Sequence, residues 1–354
     1  MKIEELRTKI DKIDTKILKF LNDRMDLVHE IGLIKSAAKE SVYRPEREKE
    51  IIERLNSLAK GKLNKESIKA IFQEIFAVAR NIELPEKISY LGPEGSFTHQ
   101  AAESNFGSTS KYLPLNSIKS VFSSVQSKKA KYGIIPLENN QEGIVQETID
   151  LLGQSTLKII AELPMSITFS FATRSNVVDK IKRIYSKDIA FKQCKEFIRN
   201  YFSDDIDCIP VNSTSAAVNY ADKQTDSAAI CSRFAAVQKN VPILFDKIED
   251  STNNHTRFVT LSSISNKIKS KSDKTSILVN LSDGHGVLAE FLQEFHDAKI
   301  NLTKLESRPA KKGTDFKYVF YIDFEGHYLD NNFQIIYKRY NDNIKLLGSY
   351  PRMI

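Results

Sequence analysis

The feature that most restricts the fold of this chain is an apolar stripe through its first 34 residues. Apolar side chains recur there at the alternating spacing of three and four that marks one face of a helix. They are Ile3, Leu6, Ile10, Ile13, Ile17, Phe20, Leu27, Ile31 and Ile34. A helix of this length spans roughly 50 Å, which is more than a helical unit of this size covers by itself. The stripe therefore predicts a long helix that packs against a second chain.

Charged residues lie on or beside the apolar faces of this helix and of two predicted helices that follow it. The set is Arg7, Arg24, Lys35, Arg47, Glu48 and Glu83. Arg24 takes the position that the stripe skips, whereas Arg7 is rotated from it by about 100°, which suits a group reaching into a neighbouring chain. Charges on apolar faces need partners. Four cations against two carboxylates favour an anionic ligand with more than one carboxylate.

The composition excludes several classes of function. The 354 residues, 41% apolar and 27% charged, are typical of a globular protein of two or three domains. The net charge of +7 comes from lysines interspersed with acids, which favours a solvated surface over a nucleic-acid site. No apolar run approaches the ~18 residues of a membrane span, and three dispersed cysteines favour the cytoplasm. The histidines and cysteines lack the spacing of a metal site, so no metal is expected.

Two breaks divide the chain into three predicted domains, over residues 1–85, 86–265 and 274–354. The first is almost free of proline and glycine and has helical periodicity. In the second, strands and helices alternate in two sets, which predicts two α/β lobes with parallel sheets. The third reads strand, helix, strand, strand, helix, strand, which predicts a ferredoxin-like α+β fold.

Polar groups follow the predicted strands of the middle domain, at the edge where ligands of open α/β sheets bind. They are Gly92 to Ser96, Glu138 to Asn140, Ser186, Asn212 to Ser215 and Ser232. The first group lies in KISYLGPEGSFT, whose G-x-x-G spacing differs from the G-x-G-x-x-G of a dinucleotide loop. No nicotinamide cofactor is therefore expected, while the helix start at Ser96 suits a smaller anion such as a carboxylate.

The run LRTKIDKIDTKILKFLNDRMDLVHEIGLIKS…VYRPEREKEI resembles the all-helical class of chorismate mutase over residues 1–84. The resemblance implies an intertwined dimer of three-helix chains that binds chorismate. It also implies that Arg24, Lys35 and Arg47, with Arg7 of the partner chain, hold the substrate's carboxylates and ether oxygen, while Glu48 orients a hydroxyl. Glu83 stands where the family often has glutamine. Because an acid donates to the ether oxygen only when protonated, this site should work best at lower pH.

Five segments resemble the prephenate dehydratases across residues 87–263. They are GPEGSFTHQAA, PLENNQEGIVQETIDLL, YSKDIAFKQC, NSTSAAV and NHTRFV. The resemblance implies a bilobal α/β fold like that of periplasmic binding proteins, with prephenate in the cleft. It assigns catalytic roles to Asn139, Ser186, Gln193 and Thr256, and substrate binding to Ser96, Phe97, Ser215 and Arg257. Thr256 is the family's candidate proton donor, and Arg257 is either an anion partner or structural.

HGVLAEFL and LTKLESRP resemble segments of the ACT regulatory domains attached to prephenate dehydratases. In that family the two segments bind phenylalanine between subunits, which implies an effector site. Its residues would be Gly286, Val287, Leu288, Glu306, Ser307 and Arg308. The alternative is a packing domain without a ligand.

Together the resemblances imply a bifunctional chorismate mutase/prephenate dehydratase that makes phenylpyruvate from chorismate and is inhibited by phenylalanine. We expect a cytoplasmic homodimer or higher homo-oligomer without cofactor, nucleic-acid or membrane partner. One alternative is a mutase/prephenate dehydrogenase, which the missing dinucleotide fingerprint disfavours. The other is a non-catalytic amino-acid sensor, because bilobal clefts and ACT domains both bind small ligands.

Overall fold

A computed structural model describes residues 3–38, 43–83, 86–203, 205–309 and 318–352. The chain divides into two units, one of Met1–Glu86 with Phe106–Lys111 and one of Lys87–Asn105 with Tyr112–Ile354. The second unit therefore contains both the predicted middle domain and the predicted C-terminal domain.

The first unit contains three helices, α1 (Ile3–Ala38), α2 (Pro45–Leu58) and α3 (Lys65–Glu83), and confirms the predicted helical N-terminus. α2 begins with proline at its first turn, where a missing N–H costs nothing. α3 packs against both other helices and buries Ile68 and Phe76. The stripe of α1 stays largely uncovered within one chain, since Phe20 is 68% and Ile34 71% exposed.

The second unit contains three sheets, two of them in the predicted middle domain. The strands of the first lobe are β1 (Lys87–Leu91), β2 (Lys111–Leu115), β3 (Tyr132–Asn139), β4 (Gly143–Ile144), β5 (Lys158–Ser166) and β11 (His255–Ser262). Its helices are α4 (Phe97–Phe106), α5 (Ile118–Gln126) and α6 (Gln146–Gln154). The strand order is β2-β1-β3-β11-β5, with β4 paired to β3.

The first sheet is mixed rather than parallel throughout, which corrects the predicted parallel sheet. β1 and β3 run parallel, but β11 runs antiparallel to both β3 and β5. The reason is that β11 is the segment by which the chain returns from the second lobe, so it enters the sheet in the opposite direction. This return places Thr256 directly opposite Asn139.

The second lobe has the strand order β10-β6-β9-β7-β8. Its strands are β6 (Ser170–Thr173), β7 (Arg183–Ser186), β8 (Asp207–Pro210), β9 (Ser227–Cys231) and β10 (Ile243–Asp246). Its helices are the short 3-10 helix Val178–Lys180, α7 (Asp188–Gln193), α8 (Lys195–Tyr201), α9 (Thr214–Lys223) and α10 (Arg233–Gln238). The sequence predicts one continuous helix from Ile189 to Phe202, and this prediction is wrong, because Cys194 separates α7 from α8. Asp250 accepts the first N–H groups of α8, from Lys195 at 2.9 Å and Glu196 at 3.0 Å, and so begins a new helix there.

The third sheet confirms the predicted βαββαβ order. Its elements are β12 (Asp273–Asn280), α11 (Val287–Asp297), β13 (Leu302–Pro309), β14 (Tyr318–Glu325), α12 (Asn331–Arg339) and β15 (Ile344–Pro351), in the sheet order β13-β14-β12-β15. One face packs with α11 and α12 through Phe291, Phe295 and Phe333.

The opposite face of the third sheet shares one apolar core with the first lobe. Tyr321, Leu347 and Tyr350 are fully buried in the same cluster as Ile159 and Leu152. The approach is so close at Gly348 that a Cβ atom there would lie 2.0 Å from the carbonyl oxygen of Ile159. The C-terminal domain is therefore packed into the middle domain as part of its core.

Candidate active sites

A charged cavity of about 840 Å³ lies among the three helices of the first unit. Its charged lining residues are Arg24, Lys35, Arg44, Arg47, Glu48, Arg54, Arg80 and Glu83, and its apolar ones are Leu27, Val28, Ile31, Ile51, Leu55, Phe72, Phe76 and Ala79. Six cations thus face two carboxylates. Such a lining favours an anion with several negative charges and an apolar body.

Arg24 contributes a buried hydrogen-bond donor to this cavity. Its Nη1 atom is buried and has no hydrogen-bond partner among the described residues. The guanidinium carbon lies 5.7 Å from the ring centre of Phe76. Burial lowers the pKa of Arg24, and nearby Glu48 opposes that shift. An anionic ligand at Nη1 would supply the missing partner.

The two carboxylates of the cavity are each held by a cation. Lys35 Nζ lies 2.9 Å from Glu83 Oε1, and Arg80 Nη1 forms an ion pair with Glu48. Burial raises the pKa of Glu48, although Arg80 acts against that shift.

Five of the six charged residues that the sequence singles out line this cavity, and Arg7 does not. Arg7 is exposed and pairs with Glu4 at 2.9 Å, one turn away. It lies about 25 Å along α1 from Arg24, beyond the reach of its side chain. Any contact with such a cavity must therefore come from a second copy of the chain.

Three lining arginines were missed by the sequence reasoning. Arg80 and Arg54 lie on the cavity face by spacing, at i+4 from Phe76 and i+3 from Ile51. This helical spacing is visible in the sequence and would have marked both arginines as cavity residues. Arg44 precedes α2 in a segment without periodicity, so no pattern marks it.

In the second unit, a chain of hydrogen-bonded amides ends on the hydroxyl of Thr256. Asn139 Nδ2 donates to Thr256 Oγ1 at 2.9 Å and to Asn254 Oδ1 at 2.8 Å. Asn254 Nδ2 donates to Gln193 Oε1 at 3.0 Å, and Gln193 Nε2 donates to Gln141 Oε1 at 2.9 Å. The predicted residues Asn139, Gln193 and Thr256 are therefore brought together. Asn254 was missed as a site residue, although it is the first residue of the NHTRFV segment.

A second group forms where three helices begin. Ser96 Oγ accepts from the N–H of His99 at 3.2 Å and so caps the start of α4. Ser232 Oγ, which caps α10, donates to the carbonyl of Gly95 at 3.3 Å. A Cβ at Gly95 would lie 3.1 Å from that of Ser215 in the first turn of α9. The turn that the sequence marks thus meets two helix N-termini of the other lobe, where N–H groups and positive dipole ends favour an anion.

The remaining predicted cleft residues are packed against their surroundings. The ring of Phe97 meets that of Phe169 edge to face, with centroids 5.6 Å apart. Ser186 is fully buried and donates to the carbonyl of Ile230 at 2.6 Å. Ser186 thus ties β7 to β9 in the second lobe.

Arg257 lies apart from the Thr256 network. Neighbouring residues on a strand point to opposite faces, and Arg257 points to the face that meets the C-terminal domain. There its guanidinium pairs with Glu138 at 2.7 Å, Asp323 at 2.7 Å and Glu162 at 3.2 Å. The structure therefore does not bring Arg257 together with the other predicted substrate-binding residues.

The predicted effector residues are divided between two places. Gly286 begins α11 in the left-handed conformation, with φ of 78°, and Val287 and Leu288 pack against the core of the C-terminal domain. On β13, Arg308 is buried and bonds to Asp150 and to the carbonyl of Gln146 in the first lobe.

The other two predicted effector residues on β13 point to opposite faces. Ser307 lies opposite Phe320, which packs with the helices, whereas Glu306 lies opposite Tyr321, which packs with the first lobe. The six residues therefore do not form one group within a single chain.

Comparison with known proteins shows which family the chain belongs to. Residues 6–84 match the family model Chorismate mutase type II, and residues 88–266 match Prephenate dehydratase. The chain is 37% identical to a bifunctional chorismate mutase/prephenate dehydratase of Aquifex aeolicus, over 99% of this chain and 98% of that one. A protein of the same description from Neisseria gonorrhoeae is 34% identical over 98% and 96% of the two chains.

The chain belongs to the bifunctional chorismate mutase/prephenate dehydratases. It is a chorismate mutase and a prephenate dehydratase of phenylalanine biosynthesis. This result favours dehydration over the dehydrogenase alternative, and an enzyme over an amino-acid sensor. Within the part of the chain that the structure describes, no helix has the length and apolarity to cross a bilayer.

Solved structures agree for the second unit of this bifunctional enzyme. A prephenate dehydratase of Arthrobacter aurescens in complex with L-Phe has a TM-score of 0.68 at 28% identity, covering 75% of this chain and 90% of that one. The prephenate dehydratase of Staphylococcus aureus has a TM-score of 0.66 at 23% identity, covering 75% and 99% of the two chains, and shows the fold alone.

Proposed function

We propose that the helical cavity is the mutase site and that its cations hold the compact conformer of chorismate. The observation that carries this is Arg24, whose buried Nη1 atom has no hydrogen-bond partner among the described residues and lies in a cavity of six cations. The rearrangement is pericyclic and needs no covalent catalysis, so positioning and charge account for it. Lys35 and Arg47 hold the carboxylates and ether oxygen, Glu48 orients the hydroxyl, and Arg7 comes from the partner chain.

We propose that Thr256 donates the proton that the ring hydroxyl of prephenate needs in order to leave. Its Oγ1 accepts a hydrogen bond from Asn139, so its own proton points elsewhere and is free for the substrate. A donor into Oγ1 also polarises the hydroxyl and strengthens its outward hydrogen bond. Asn139, Gln193 and Ser186 hold the cleft in shape, and Ser96, Phe97 and Ser215 bind the substrate at the helix starts.

The direct test of both activities is a single assay. Purified protein is given chorismate, with and without NAD, and phenylpyruvate is measured. We expect prephenate to form first and phenylpyruvate to follow, with no dependence on NAD. A product that required NAD would support a dehydrogenase, and no product at all would contradict both proposals.

We propose that the C-terminal domain is an ACT domain through which phenylalanine inhibits the dehydratase. The ferredoxin-like sheet supports this, and a related prephenate dehydratase from Arthrobacter aurescens has been solved with L-Phe. The site would combine Gly286, Val287 and Leu288 with Glu306, Ser307 and Arg308 of another chain, because within one chain these groups are apart. Glu306→Ala should raise the phenylalanine concentration needed for inhibition and leave mutase activity unchanged.

We propose that the protein is a cytoplasmic homodimer or higher homo-oligomer, with an intertwined dimer formed by α1. The exposed stripe supports this, because Ile17, Phe20 and Leu27 are each at least half exposed in one chain. The two lobes of the second unit would close on prephenate as those of periplasmic binding proteins close on ligands. Phe20→Asp should dissociate the helical dimer in sedimentation and abolish mutase activity.

A further inference from the structure

Arg257 is surrounded by carboxylates from three different strands. Glu138 belongs to β3, Glu162 to β5 and Asp323 to β14 of the C-terminal domain. Arg257 itself is only 8% exposed. Burial by itself would lower the pKa of Arg257, but Tyr321 and Asp323 outweigh it and raise that pKa well above its ordinary value. The guanidinium is therefore charged and fixed in place.

Two lysines complete this cluster and bring in more of the C-terminal domain. Lys274 Nζ on β12 lies 2.8 Å from Glu162, and Lys304 Nζ on β13 pairs with Glu138. Asp323 also accepts a hydrogen bond from Ser276 at 2.5 Å. Three cations thus balance three carboxylates, and the C-terminal domain supplies one of the carboxylates and two of the cations.

The cluster lies beside an irregularity in the strand pairing of the dehydratase site. Thr256 pairs with Asn139 and Arg257 with Glu138, but Phe258 pairs with Pro136, so one residue of β3 is left over. Such a bulge breaks the ladder and re-aims the side chains next to it. Arg257 spans this place, because its guanidinium bonds to both strands that flank β11.

We infer that Arg257 is a positioning residue that holds Thr256 opposite Asn139, and that the C-terminal domain acts on the dehydratase reaction through it. Successive side chains of a strand point to opposite faces of the sheet. Arg257 and Glu138 therefore point toward the C-terminal domain, and their neighbours Thr256 and Asn139 point into the cleft. A shift of β14 or β13 therefore moves the pair of groups that the reaction uses. This inference rests on the proposed role of Thr256.

The alternative is that Arg257 binds a carboxylate of prephenate directly. The two roles predict different kinetics. If Arg257 positions Thr256, altering its partner Asp323 should change kcat. If Arg257 binds prephenate, altering Arg257 itself should change KM. Asp323→Asn separates them. Asparagine has nearly the same shape and keeps an acceptor for Ser276, but it replaces the charged oxygen that faces Arg257 with an uncharged NH2 group.

The experiment measures kcat and KM for prephenate in the full-length protein, with mutase activity as the internal control for folding. Asp323→Asn should lower dehydratase kcat about 10-fold to 100-fold, the size expected for a displaced catalytic group, with KM changed less than about twofold and mutase activity kept. Asp222→Asn is the matched control, since Asp222 pairs with Arg174 on the exposed surface of the second lobe. It should leave both constants unchanged.

A double-mutant cycle gives the second measurement. Arg257→Gln and Asp323→Asn should be strongly non-additive in kcat, because they break one contact. If Arg257→Gln raises KM more than 10-fold while Asp323→Asn leaves kcat unchanged, Arg257 binds substrate and the inference is wrong. It is equally wrong if both variants lose only thermal stability.

A less buried variant covers the case in which Asp323→Asn fails to fold. The side chain of Lys304 is 23% exposed, and Lys304→Gln removes the ion pair between β13 and Glu138. Lys304→Gln should lower dehydratase kcat, as Asp323→Asn does. An unchanged kcat in Lys304→Gln would overturn the inference. Failure of the proposed role of Thr256 is distinguished separately, because Thr256→Ala would then retain dehydratase activity whatever Asp323→Asn and Lys304→Gln do.

Discussion

The helical cavity and the two-lobed cleft differ in the charge of the residues that line them. The cavity presents full charges, with six cations facing two carboxylates. The hydrogen-bonded groups around Thr256 are side-chain amides, and the arginine next to it on the strand points away. The chemistry accounts for this difference. The mutase keeps both substrate carboxylates, whereas the dehydratase must let one leave as carbon dioxide, and a cation gripping that group would stabilise the ground state.

We expect the largest effect from a substitution of Thr256, whose hydrogen-bonding partners are uncharged. Thr256→Ala should lower phenylpyruvate formation from prephenate about 10²-fold to 10⁴-fold, as expected for loss of a proton donor, and should leave mutase activity intact. Thr256→Ser is the matched control, because it keeps the hydroxyl that Asn139 contacts, and should retain most activity. Equal loss in both variants would show that the hydroxyl is not what the reaction uses.

The charged site is tested by Arg24→Ala. Mutase turnover should fall about 10²-fold to 10³-fold, because a positioned donor to the developing charge is lost, while the helices persist by circular dichroism. Dehydratase activity on added prephenate should be unchanged. Arg24→Lys keeps the charge but not the planar donor group, so its mutase turnover should lie between those of the wild type and Arg24→Ala. Retained mutase activity in the alanine variant would remove the cavity from the account.

A smaller effect concerns which form of Glu83 works. If the neutral acid donates to the ether oxygen, mutase activity should fall several-fold as pH rises, and Glu83→Gln should flatten that profile. In the free cavity Glu83 Oε1 lies 2.9 Å from Lys35 Nζ, so substrate binding must break this ion pair before Glu83 contacts the ether oxygen. A pH profile that is the same in the glutamine variant would contradict this role.

The smallest effect concerns the stability of the cleft turn. His99 Nδ1 accepts from the N–H of Gly95 at 3.1 Å, and burial lowers the pKa of His99. Because the unfolded chain binds that proton more readily, the stabilisation is complete above about pH 6.5 and is lost as pH falls from there toward the folded-state pKa. His99→Asn keeps an acceptor without titrating there, so thermal unfolding should depend less on pH below 6.5. An unchanged dependence would exclude His99.

Local patterns predicted most of the fold and the helical cavity. The 3.6-residue period placed α1 to α3, and the same period puts Arg24 and Lys35 on one face of α1, where both line the cavity. The direction of Arg257 could not be predicted in this way. Its partner Glu162 lies 95 residues away and Asp323 belongs to another predicted domain, so no local signal records the contact.

The same limit applies where a distant group overrides a local pattern. Asp250 begins α8 from about 55 residues away and so breaks the predicted helix at Cys194. Arg308 lies in the segment that resembles an effector site, and its ion pair with Asp150 of the first lobe could not be predicted from that segment. The shared core likewise argues against treating residues beyond 265 as a separable attachment, because removing them would expose Ile159 and Leu152.

The central claim is that two independent sites on one chain carry out consecutive steps, one with full charges and one with neutral donors. The most direct measurement combines the two inactivated proteins. Given chorismate, Thr256→Ala should accumulate prephenate, and Arg24→Ala should form little product. We predict that a mixture of the two restores phenylpyruvate formation, because prephenate released by one is dehydrated by the other. A mixture that makes no more phenylpyruvate than either variant alone, although both are folded, would contradict the claim.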